Sequence, residues 1–489
     1  MKNEVHTQVV VVGAGNAALS AAVAARERGV DVVVLEKAPR RHRGGNSALT
    51  VHMRFPYDGA EDLASLVSGI SSEELGRMAE RSMRYTSAEY YDNIMTVTEG
   101  KCDAELAEIL VTRAAETVRW MATHGHIWIP THTNPTSANV VSFNGGGYGL
   151  QEQWFTTFEE LGGTTQYDTQ AVGLLTDSGG RVTGVRTKTL KGDLDIHAGA
   201  VILACGSFES NPEMRARFLG PEWERIKLRG VPYNSGDGLT MSQEIGALPF
   251  GSWSDCHASP QDLNRPSSDK PGPGVRGDFW SRYAYPFGIT VNLQGRRFID
   301  EGETWRGLTY AKTGRAILAE PQGTAFQIFD SRHRELDLIH GYEDATGFSD
   351  NTLAGLGKKL DILDVPGFAR TVGEYNASVQ SGEFDPFRLD GKGTAGIAPP
   401  KSNWALPLEN PPFEGFPVAC GLTFTYGGLK ITPEMKVVHE EDRPIPGLFA
   451  AGEMVGGLWY RNYPSGAGMM AGAVFGRIAG ASAARELDA

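Results

Sequence analysis

The clearest chemistry-bearing pattern in this sequence of 489 residues is a run of small residues, Gly13-Ala14-Gly15-Asn16-Ala17-Ala18. It follows the apolar run Val9 to Val12 and precedes an Ala-rich stretch with helical propensity that reaches Gly29. A second apolar run, Val32 to Leu35, stops at Glu36, where such units accept hydrogen bonds from an adenosine ribose. Strand, tight turn, helix and parallel strand in this order are typical of a dinucleotide-binding unit.

Each small residue in this turn has a physical reason. Gly13 permits the tight turn, Gly15 lets the backbone approach a pyrophosphate, and Ala18 allows close packing of helix on strand. The free N–H groups near Asn16 and Ala17 then face the phosphates at the positive end of the helix. The turn alone does not distinguish FAD from NAD, and a Gly-Ala-Gly turn in another α/β protein is the remaining alternative.

Two further glycine-rich segments favour FAD over NAD. Arg43-Gly44-Gly45-Asn46-Ser47 is a loop suited to pass close beneath a flavin ring. Near the other end, Ala450-Ala451-Gly452-Glu453 precedes Gly466-Ala467-Gly468-Met469 and a small-residue helix that we expect to end near Gly480. The N-terminus of that helix is suited to face the electron-rich flavin carbonyl. Together these segments predict FAD.

Composition and charge bound the class of protein. The formal net charge of −13 argues against nucleic-acid binding or adhesion to an anionic membrane, because both need a cationic face. No apolar run approaches a membrane span, and the N-terminus lacks the pattern of a secretory signal. The four cysteines include no C-x-x-C pair, so no zinc, iron–sulfur or haem site is expected. We expect a cytoplasmic, metal-free protein whose redox chemistry needs an organic cofactor.

The pattern along the chain predicts two domains. Residues 171–175 and 181–187 are typical of a hairpin, and 200–204 of a buried strand. Proline-rich segments, at 259–282, 399–400 and 411–412, are typical of irregular borders around an inserted unit that contains a helix near 311–319. We predict an FAD-binding domain in two parts, residues 1–255 and 411–489, with a capping substrate domain at residues 256–410.

An ordered series of motifs extends over nearly the whole chain. After the turn at Gly13 it comprises Gly44 to Ser47, Ala204 to Phe208, Ser235 to Gly238, Val291 to Phe298, Tyr426 to Leu429 and Gly447 to Glu453. This series resembles the flavoprotein family of succinate dehydrogenase and fumarate reductase flavoprotein subunits, 3-ketosteroid dehydrogenases and tricarballylate dehydrogenase. The segments Phe143 to Gly149, Arg229 to Asn234 and Asn462 to Gly466 make the tricarballylate dehydrogenase branch the nearest.

The resemblance implies an α/β protein with a Rossmann-type, glutathione-reductase-like FAD domain and an inserted α+β capping domain, with substrate between them against the flavin. The covalent histidine of the succinate dehydrogenase branch is not evident in Arg43 to Ser47, so we expect non-covalent FAD. The residues predicted to bind the cofactor are Gly13, Gly15, Asn16, Ala17, Ala18, Glu36, Lys37, Gly44, Gly45, Asn46, Ser47, Ala171, Ala204, Cys205, Gly206, Asp237, Gly452, Glu453, Gly468 and Met469.

The resemblance also implies candidates for catalysis. In fumarate reductases an arginine shortly after the V-N-x-x-G-x-R-F stretch transfers the proton, and Arg306 occupies that place. An ordinary arginine is a poor base, so this role predicts an enclosed site with a carboxylate neighbour such as Glu303. His257 lies where those enzymes have a histidine that binds a substrate carboxylate. The alternatives are an arginine on the surface or in an ion pair, and a structural histidine.

Two departures from the fumarate reductase pattern concern the substrate. This chain has Thr423-Phe424 in place of a histidine pair, and Tyr463 in place of the carboxylate-binding arginine. The segment from Tyr463 also resembles ketosteroid dehydrogenases, which use tyrosines. Nearby arginines are able to replace the charge, because a guanidinium binds a carboxylate well; Arg229 is one candidate. We predict Arg306, His257 and Tyr463 as catalytic residues, and Arg461, Thr425, Tyr426, Arg54 and Tyr148 as substrate-binding residues.

The sequence therefore predicts an FAD-dependent oxidoreductase that desaturates a C–C bond beside a carboxylate or carbonyl of a tricarballylate-like small molecule, with hydride transfer to flavin N5. A fumarate-type ene-reductase, a ketosteroid-type dehydrogenase and an electron carrier without its own substrate are the alternatives. The electron acceptor is expected to be a protein or a quinone. Four tryptophans are candidates for an apolar pocket wall: Trp154, Trp253, Trp305 and Trp459.

Overall fold

The computed structural model describes residues 4–66, 71–73, 76, 84–130, 141–275 and 277–488. Its strands, in chain order, are β1 (Glu4–Val12), β2 (Val32–Leu35), β3 (His52–Met53), β4 (Trp128–Pro130), β5 (Val141–Phe143), β6 (Thr164–Gln166), β7 (Thr169–Thr176), β8 (Val182–Thr189), β9 (Gly192–Leu203), β10 (Lys227–Leu228), β11 (Pro249–Asp262), β12 (Ile289–Asn292), β13 (Thr324–Asp330), β14 (Phe348–Asp350), β15 (Phe413–Leu429), β16 (Lys436–Val438) and β17 (Pro444–Ala450).

The α-helices of the described ranges lie between these strands and at the end of the chain. They are α1 (Asn16–Arg26), α2 (Ala60–Leu66), α3 (Ser87–Val97), α4 (Ala104–Thr123), α5 (Gly146–Glu160), α6 (Pro212–Phe218), α7 (Asp237–Gln243), α8 (Tyr310–Ala319), α9 (Ser331–Glu335), α10 (Leu353–Lys359), α11 (Val365–Ser378) and α12 (Ala467–Asp488). None of these helices is both long and apolar enough to cross a membrane.

The first sheet is the Rossmann-type unit. Its parallel strands stand in the order β17-β9-β1-β2-β6, and β16 pairs with β17 at the edge. The β7–β8 hairpin joins the first half of β9 in antiparallel register. The valines of β1, Val9 to Val12, are all buried, as expected for a strand covered on both faces. The α/β, Rossmann-type fold predicted from the sequence is confirmed.

Two helices pack tightly on this sheet because their contact is made of small residues. Gly476 and Gly480 of α12 lie so close to α1 that an added Cβ would stand 2.3 Å from the carbonyl oxygen of Ala17 and 2.0 Å from that of Ala21. This contact explains why α12 continues to Asp488 rather than ending near Gly480, as the sequence suggested. The glycine there serves helix packing and does not terminate the helix.

The second sheet forms the cap. The long strand β15 pairs in antiparallel register with β11, β13 and β14, and β12 extends the sheet beside β13. Strand pairing therefore crosses both predicted domain borders, and the division at residues 256 and 411 stays a prediction. Strand β11 runs to Asp262, so residues 259–262 are not irregular. Pro260 lies opposite Cys420 of β15, and its carbonyl accepts the N–H of Arg282 at 3.1 Å.

Candidate active site

One cavity opens where the carboxyl ends of β1, β2, β9 and β17 face the cap strand β15. Open α/β sheets bind ligands at this edge. The residues that sequence analysis singled out and that line the cavity are Gly13, Gly15, Asn16, Ala17, Glu36, Lys37, Gly45, Asn46, Ser47, Ala171, Ala204, Cys205, Gly206, Arg229, Asp237, Arg306, Thr423, Phe424, Thr425, Gly452, Glu453, Trp459, Tyr463, Gly468 and Met469. We call the part around Gly13, Ala17 and Glu36 the nucleotide end.

The turn after β1 has no room for side chains. Gly13 has a φ of +102°, and an added Cβ would lie 2.4 Å from the carbonyl oxygen of Ala204. Asn16 fixes the start of α1, because its backbone N–H donates to Ser47 Oγ at 3.0 Å and its Nδ2 donates to the carbonyl of Met469 at 2.8 Å. The turn, the 44–47 loop and α12 are thus joined at one point.

Two helix N-termini border the nucleotide end. Gly15 precedes α1 and has no side chain to cap it, and Ala17, which follows Asn16 in the first turn, lines the cavity. Helix α12 begins at Ala467, and Gly468 and Gly472 of its first turns line the same cavity. Helix N-termini favour anions, and this arrangement suits the pyrophosphate of FAD.

Glu36, at the end of β2, lies where the turn predicts an acidic residue. Its Oε1 accepts the N–H of Ala38 at 2.7 Å, and burial raises the pKa of its carboxyl to about 7. Nearby, Lys37 Nζ donates to Asp237 Oδ2 at 2.8 Å and to Ser235 Oγ at 2.6 Å. These groups would hold the adenosine part of FAD, with Glu36 accepting from the ribose hydroxyls.

The other part of the cavity, which we call the cap end, is defined by Arg229, Asp278, Arg306, Tyr310 and Tyr463. Arg229 Nη1 lies 3.4 Å from Thr423 Oγ1, at the position where the sequence departs from the histidine pair. His52 also lines this end; burial and the nearby Arg306 charge lower its pKa to about 3, so it is neutral at ordinary pH. Among the described lining residues here, two arginines accompany one aspartate.

Arg306 is buried, with only 8% of its surface exposed. Its guanidinium carbon lies 5.1 Å from the ring centre of Tyr283, and burial lowers its pKa. The predicted carboxylate neighbour is wrong: Glu303 is half exposed and pairs with Lys312 at 2.7 Å. Arg306 is enclosed beside the Tyr283 ring, whereas the Glu303 side chain faces solvent.

Tyr463 and Tyr310 form a hydroxyl pair in the cap end. Their Oη atoms lie 2.6 Å apart, and either is able to donate. Burial raises the pKa of both hydroxyls above the ordinary tyrosine value, so both stay protonated at neutral pH. Sequence analysis missed Tyr310, which begins α8 four residues after Arg306.

His257 lies behind this pair rather than at the cavity wall. It is fully buried on β11, with its ring 4.9 Å from that of Tyr310, 5.1 Å from Tyr463 and 5.4 Å from Phe424. Neither ring nitrogen has a hydrogen-bond partner among the described residues. Burial, together with the Arg229 charge, lowers its pKa well below the ordinary value, so it is a neutral support for the aromatic wall.

Other predicted substrate residues are not brought to the cavity wall. Arg461 is exposed, and its backbone N–H donates to Asp255 Oδ2. Arg54 is buried beside the site and donates from Nε to the carbonyl of Ser465 at 2.7 Å. Tyr426 is buried behind Phe424, and Tyr148 lies outside the lining residues.

Several other predicted residues pack inside the protein and do not line the cavity. Ala18 is buried in α1, and Gly44, with a φ of +99°, contacts Gln151. Of the four tryptophans, Trp459 lines the cavity, whereas Trp154 Nε1 donates to Asn16 Oδ1 at 2.9 Å. Trp253 stacks on Phe208 and Trp305 packs against Trp404. Sequence reasoning had no signal for His52, Asp278 or Glu209.

The fold and the cavity define a class: a flavoprotein with a Rossmann-type FAD-binding unit and a cap built on a separate sheet. A family model described as an FAD binding domain matches residues 8–469. The chain therefore belongs to this FAD-binding family. It is an FAD-dependent oxidoreductase acting on CH–CH groups, and the predicted likeness to the succinate dehydrogenase and fumarate reductase flavoproteins is confirmed.

Curated relatives match almost the whole chain. The probable fumarate reductase Ifc3 of Shewanella frigidimarina (strain NCIMB 400) is 27% identical over 489 residues, which cover 98% of this chain and 75% of that protein. The NADH:fumarate oxidoreductase of Klebsiella pneumoniae (strain 342) is 28% identical over 494 residues and 98% of this chain. The match spans about half of that longer relative, 48%.

Solved structures show the same fold. The open conformation of a flavocytochrome c3 fumarate reductase has a TM-score of 0.74 at 26% identity, covering 99% of this chain and 79% of that chain. The 3-ketosteroid delta1-dehydrogenase from Sterolibacterium denitrificans in complex with 1,4-androstadiene-3,17-dione has a TM-score of 0.75 at 19% identity, covering 98% and 99%. At the latter identity the likeness concerns the fold alone.

Proposed function

We propose that this enzyme removes two hydrogens from a C–C bond beside a carboxylate or carbonyl of a small molecule, with FAD bound non-covalently. FAD, when bound, supplies the hydride acceptor, its N5 atom. The observation that supports this best is that the buried Arg306 side chain, the half-buried Arg229 guanidinium and a tyrosine hydroxyl pair line the same cavity as the nucleotide turn.

The side chains of the cap end have separate roles in the proposed reaction. Arg306 receives the substrate proton, a role that its lowered pKa and enclosed position favour. Arg229 binds the carboxylate with Thr423 beside it. Tyr463 stays protonated and donates a hydrogen bond to the carboxylate or carbonyl oxygen, while Tyr310 holds the Tyr463 hydroxyl in place. The buried aromatic wall excludes water from the reacting bond.

The charges of the cap end favour a substrate with one carboxylate at the reacting carbons. Arg229 carries one positive charge, Asp278 carries one negative charge, and His52 is neutral, while Arg306 becomes positive when it takes up the substrate proton. Tricarballylate, the compound that the resemblance implies, carries three carboxylates and needs charge compensation beyond these groups. Phe424, Tyr463 and other rings of the wall favour an additional apolar or ring-shaped part of the substrate, which also supports a ketosteroid-type dehydrogenase as the second candidate.

One experiment separates these candidates. The oxidised holoenzyme is mixed without oxygen with tricarballylate, succinate, phenylpropionate and a 3-ketosteroid in separate runs, and the flavin absorbance is followed. Bleaching by a carboxylate supports the proposal, and bleaching by the ketosteroid alone supports the second candidate. No bleaching by any compound, with rapid reoxidation of the reduced enzyme by fumarate-like acceptors, would contradict the dehydrogenase direction and support an ene-reductase.

A dehydrogenase must also pass its electrons on. The sequence has no cysteine pattern for an iron–sulfur or haem group, so we propose a separate acceptor, either a protein or a quinone. Reoxidation of the substrate-reduced enzyme by a soluble quinone, compared with reoxidation by dioxygen, tests this part. Equal rates with both acceptors would remove the quinone from the proposal.

A further inference from the structure

Two carboxyl groups meet beside the FAD cavity. Glu209 follows the end of β9 and Glu453 follows the end of β17, and these strands are parallel neighbours in the first sheet. Their carboxyl ends therefore lie side by side. Glu209 has no exposed surface, and Glu453 is enclosed by the protein and lines the cavity.

Within the described ranges, the hydrogen bonds around the two carboxyl groups do not include Glu209 Oε2. Glu209 Oε1 accepts from Asn46 Nδ2 at 2.9 Å and from Asn234 Nδ2, and Glu453 Oε1 accepts the N–H of Thr425 at 2.9 Å. Glu209 Oε2 is buried, and none of the described residues donates a hydrogen bond to it. The group within its hydrogen-bonding reach is the Glu453 carboxyl. Two carboxylate oxygens bond each other only when one carries a proton.

The charges around the pair do not neutralise it. Among the described residues neither carboxyl forms an ion pair with a lysine or arginine. Arg215 lies close by, but it donates from Nη1 to the main-chain carbonyl of Glu209 at 2.7 Å and from Nε to that of Trp223. Burial raises the pKa of Glu209 to about 7, and burial together with the Glu209 charge raises that of Glu453 well above its ordinary value.

We propose that Glu209 and Glu453 share one proton at neutral pH and that the pair binds a second proton from solvent when two electrons enter the bound FAD. Two electrons and one proton reach the cofactor as a hydride, and the extra proton on the pair offsets one unit of the charge that reduction brings into the cavity. Reoxidation releases that proton to solvent. Glu209 acts through Glu453 and is a positioning residue, and the proposal does not depend on which substrate supplies the electrons.

The test is the midpoint potential of the bound FAD against pH, measured on the holoenzyme without substrate. Just above a pH of about 7, the slope should be steeper by one proton per two electrons than in Glu209→Gln. The glutamine keeps the acceptor for Asn46 and offers Glu453 an N–H donor, but it has no proton to exchange. Glu213→Gln changes an exposed glutamate of the next helix, α6, and should retain the steeper slope.

A second measurement uses the unmodified enzyme, so it holds if Glu209→Gln does not fold. The infrared difference spectrum between reduced and oxidised enzyme should contain a carboxylic-acid C=O band that grows on reduction and shifts in D2O. Equal slopes in the wild type and Glu209→Gln, or the absence of this band, would overturn the proposal. Because no substrate is present, neither result bears on the proposed dehydrogenase reaction.

Discussion

The two ends of the cavity use different kinds of binding group. At the nucleotide end the binding groups are main-chain N–H donors and the space left by glycines, held by contacts such as Asn16 to Ser47. At the cap end they are side chains such as Arg229 and Arg306, which come from distant parts of the chain. The first end tolerates no added atoms, whereas the second depends on charge and hydroxyl chemistry. Substitutions at the two ends should therefore fail in different ways.

The largest effect is expected at the turn after β1. Gly13→Ala adds a Cβ that would stand 2.4 Å from the carbonyl oxygen of Ala204, in a backbone conformation with a φ of +102°. We expect FAD binding to weaken by more than about 100-fold, because strain and overlap each cost up to about 3 kcal/mol. FAD content after purification and the Kd of the apoprotein for FAD measure the loss.

The matched control is Gly29→Ala. Gly29 also has a positive φ, +80°, but nothing lies within 4 Å of its added Cβ. This variant should lose some stability and keep full FAD content. If both variants bound FAD normally, the close approach at the nucleotide end would not be required.

The next effect concerns proton transfer at the cap end. Arg306→Lys should lower kcat by about 100- to 10,000-fold while FAD stays bound, because a lysine cannot reproduce the guanidinium geometry. Arg370→Lys, on a side chain that is 67% exposed, serves as the control and should keep normal turnover. Turnover of Arg306→Lys at the wild-type rate would exclude Arg306 from the reaction.

A smaller loss is expected for the hydroxyl pair. Tyr463→Phe removes the donor that lies 2.6 Å from Tyr310 Oη, and we expect kcat to fall by roughly 100-fold with the flavin spectrum of the oxidised enzyme preserved. Tyr375→Phe removes another buried hydroxyl, which donates to the carbonyl of Leu406 in the cap. That control should cost stability only, and equal kcat values for the two variants would contradict the role of Tyr463.

The smallest effect on the site comes from the core of the cap. Asp330 is fully buried and accepts from His333 Nδ1 at 2.8 Å and from the N–H of Asn410 at 3.0 Å. Burial alone would raise its pKa, but these hydrogen bonds outweigh burial and lower it to about 2. A lowered pKa stabilises the fold above the ordinary value of 3.8, and this stabilisation is lost as the pH falls through about 2.

Asp330→Asn should therefore reduce the free energy of unfolding by about 2 kcal/mol at neutral pH, and the difference from wild type should shrink in acid. Denaturant unfolding over a pH series measures it. FAD content should not change, because Asp330 is remote from the nucleotide end. Asp337→Asn, on a side chain that is 88% exposed, is the control. A difference independent of pH would exclude the ionised carboxyl as its source.

The same contrast explains what the sequence was able to predict. The nucleotide end is encoded by neighbours in the chain, so the spacing of Gly13, Gly15 and Glu36 indicates the fold and the cofactor together. The cap end assembles residues more than 200 positions apart, and His52 and Asp278 belong to no local pattern. Only the resemblance pointed to Arg306. The prediction that Glu303 is its carboxylate neighbour was wrong, because the sequence does not show that Glu303 forms a surface ion pair with Lys312 instead.

The packing of several residues could not be predicted from the sequence either. His257 was placed by its motif, but its position behind the aromatic wall follows from the register of β11 on β15. Glu209 and Glu453 each follow a strand, and only the order of the strands brings them together. The sequence could not show that Gly480 packs against Ala21, because a glycine that packs and a glycine that ends a helix look the same.

The most direct test of the account compares a substrate acid with its own neutral amide. The carboxylate that bleaches the flavin in the anaerobic experiment is presented to the oxidised enzyme beside the matching primary amide, and the rates of bleaching are measured. If Arg229 recognises the substrate carboxylate at the cap end, the acid should reduce the flavin and the amide should do so at least about 100-fold more slowly. Equal rates for the acid and the amide would contradict the central claim that charge at the cap end selects the substrate.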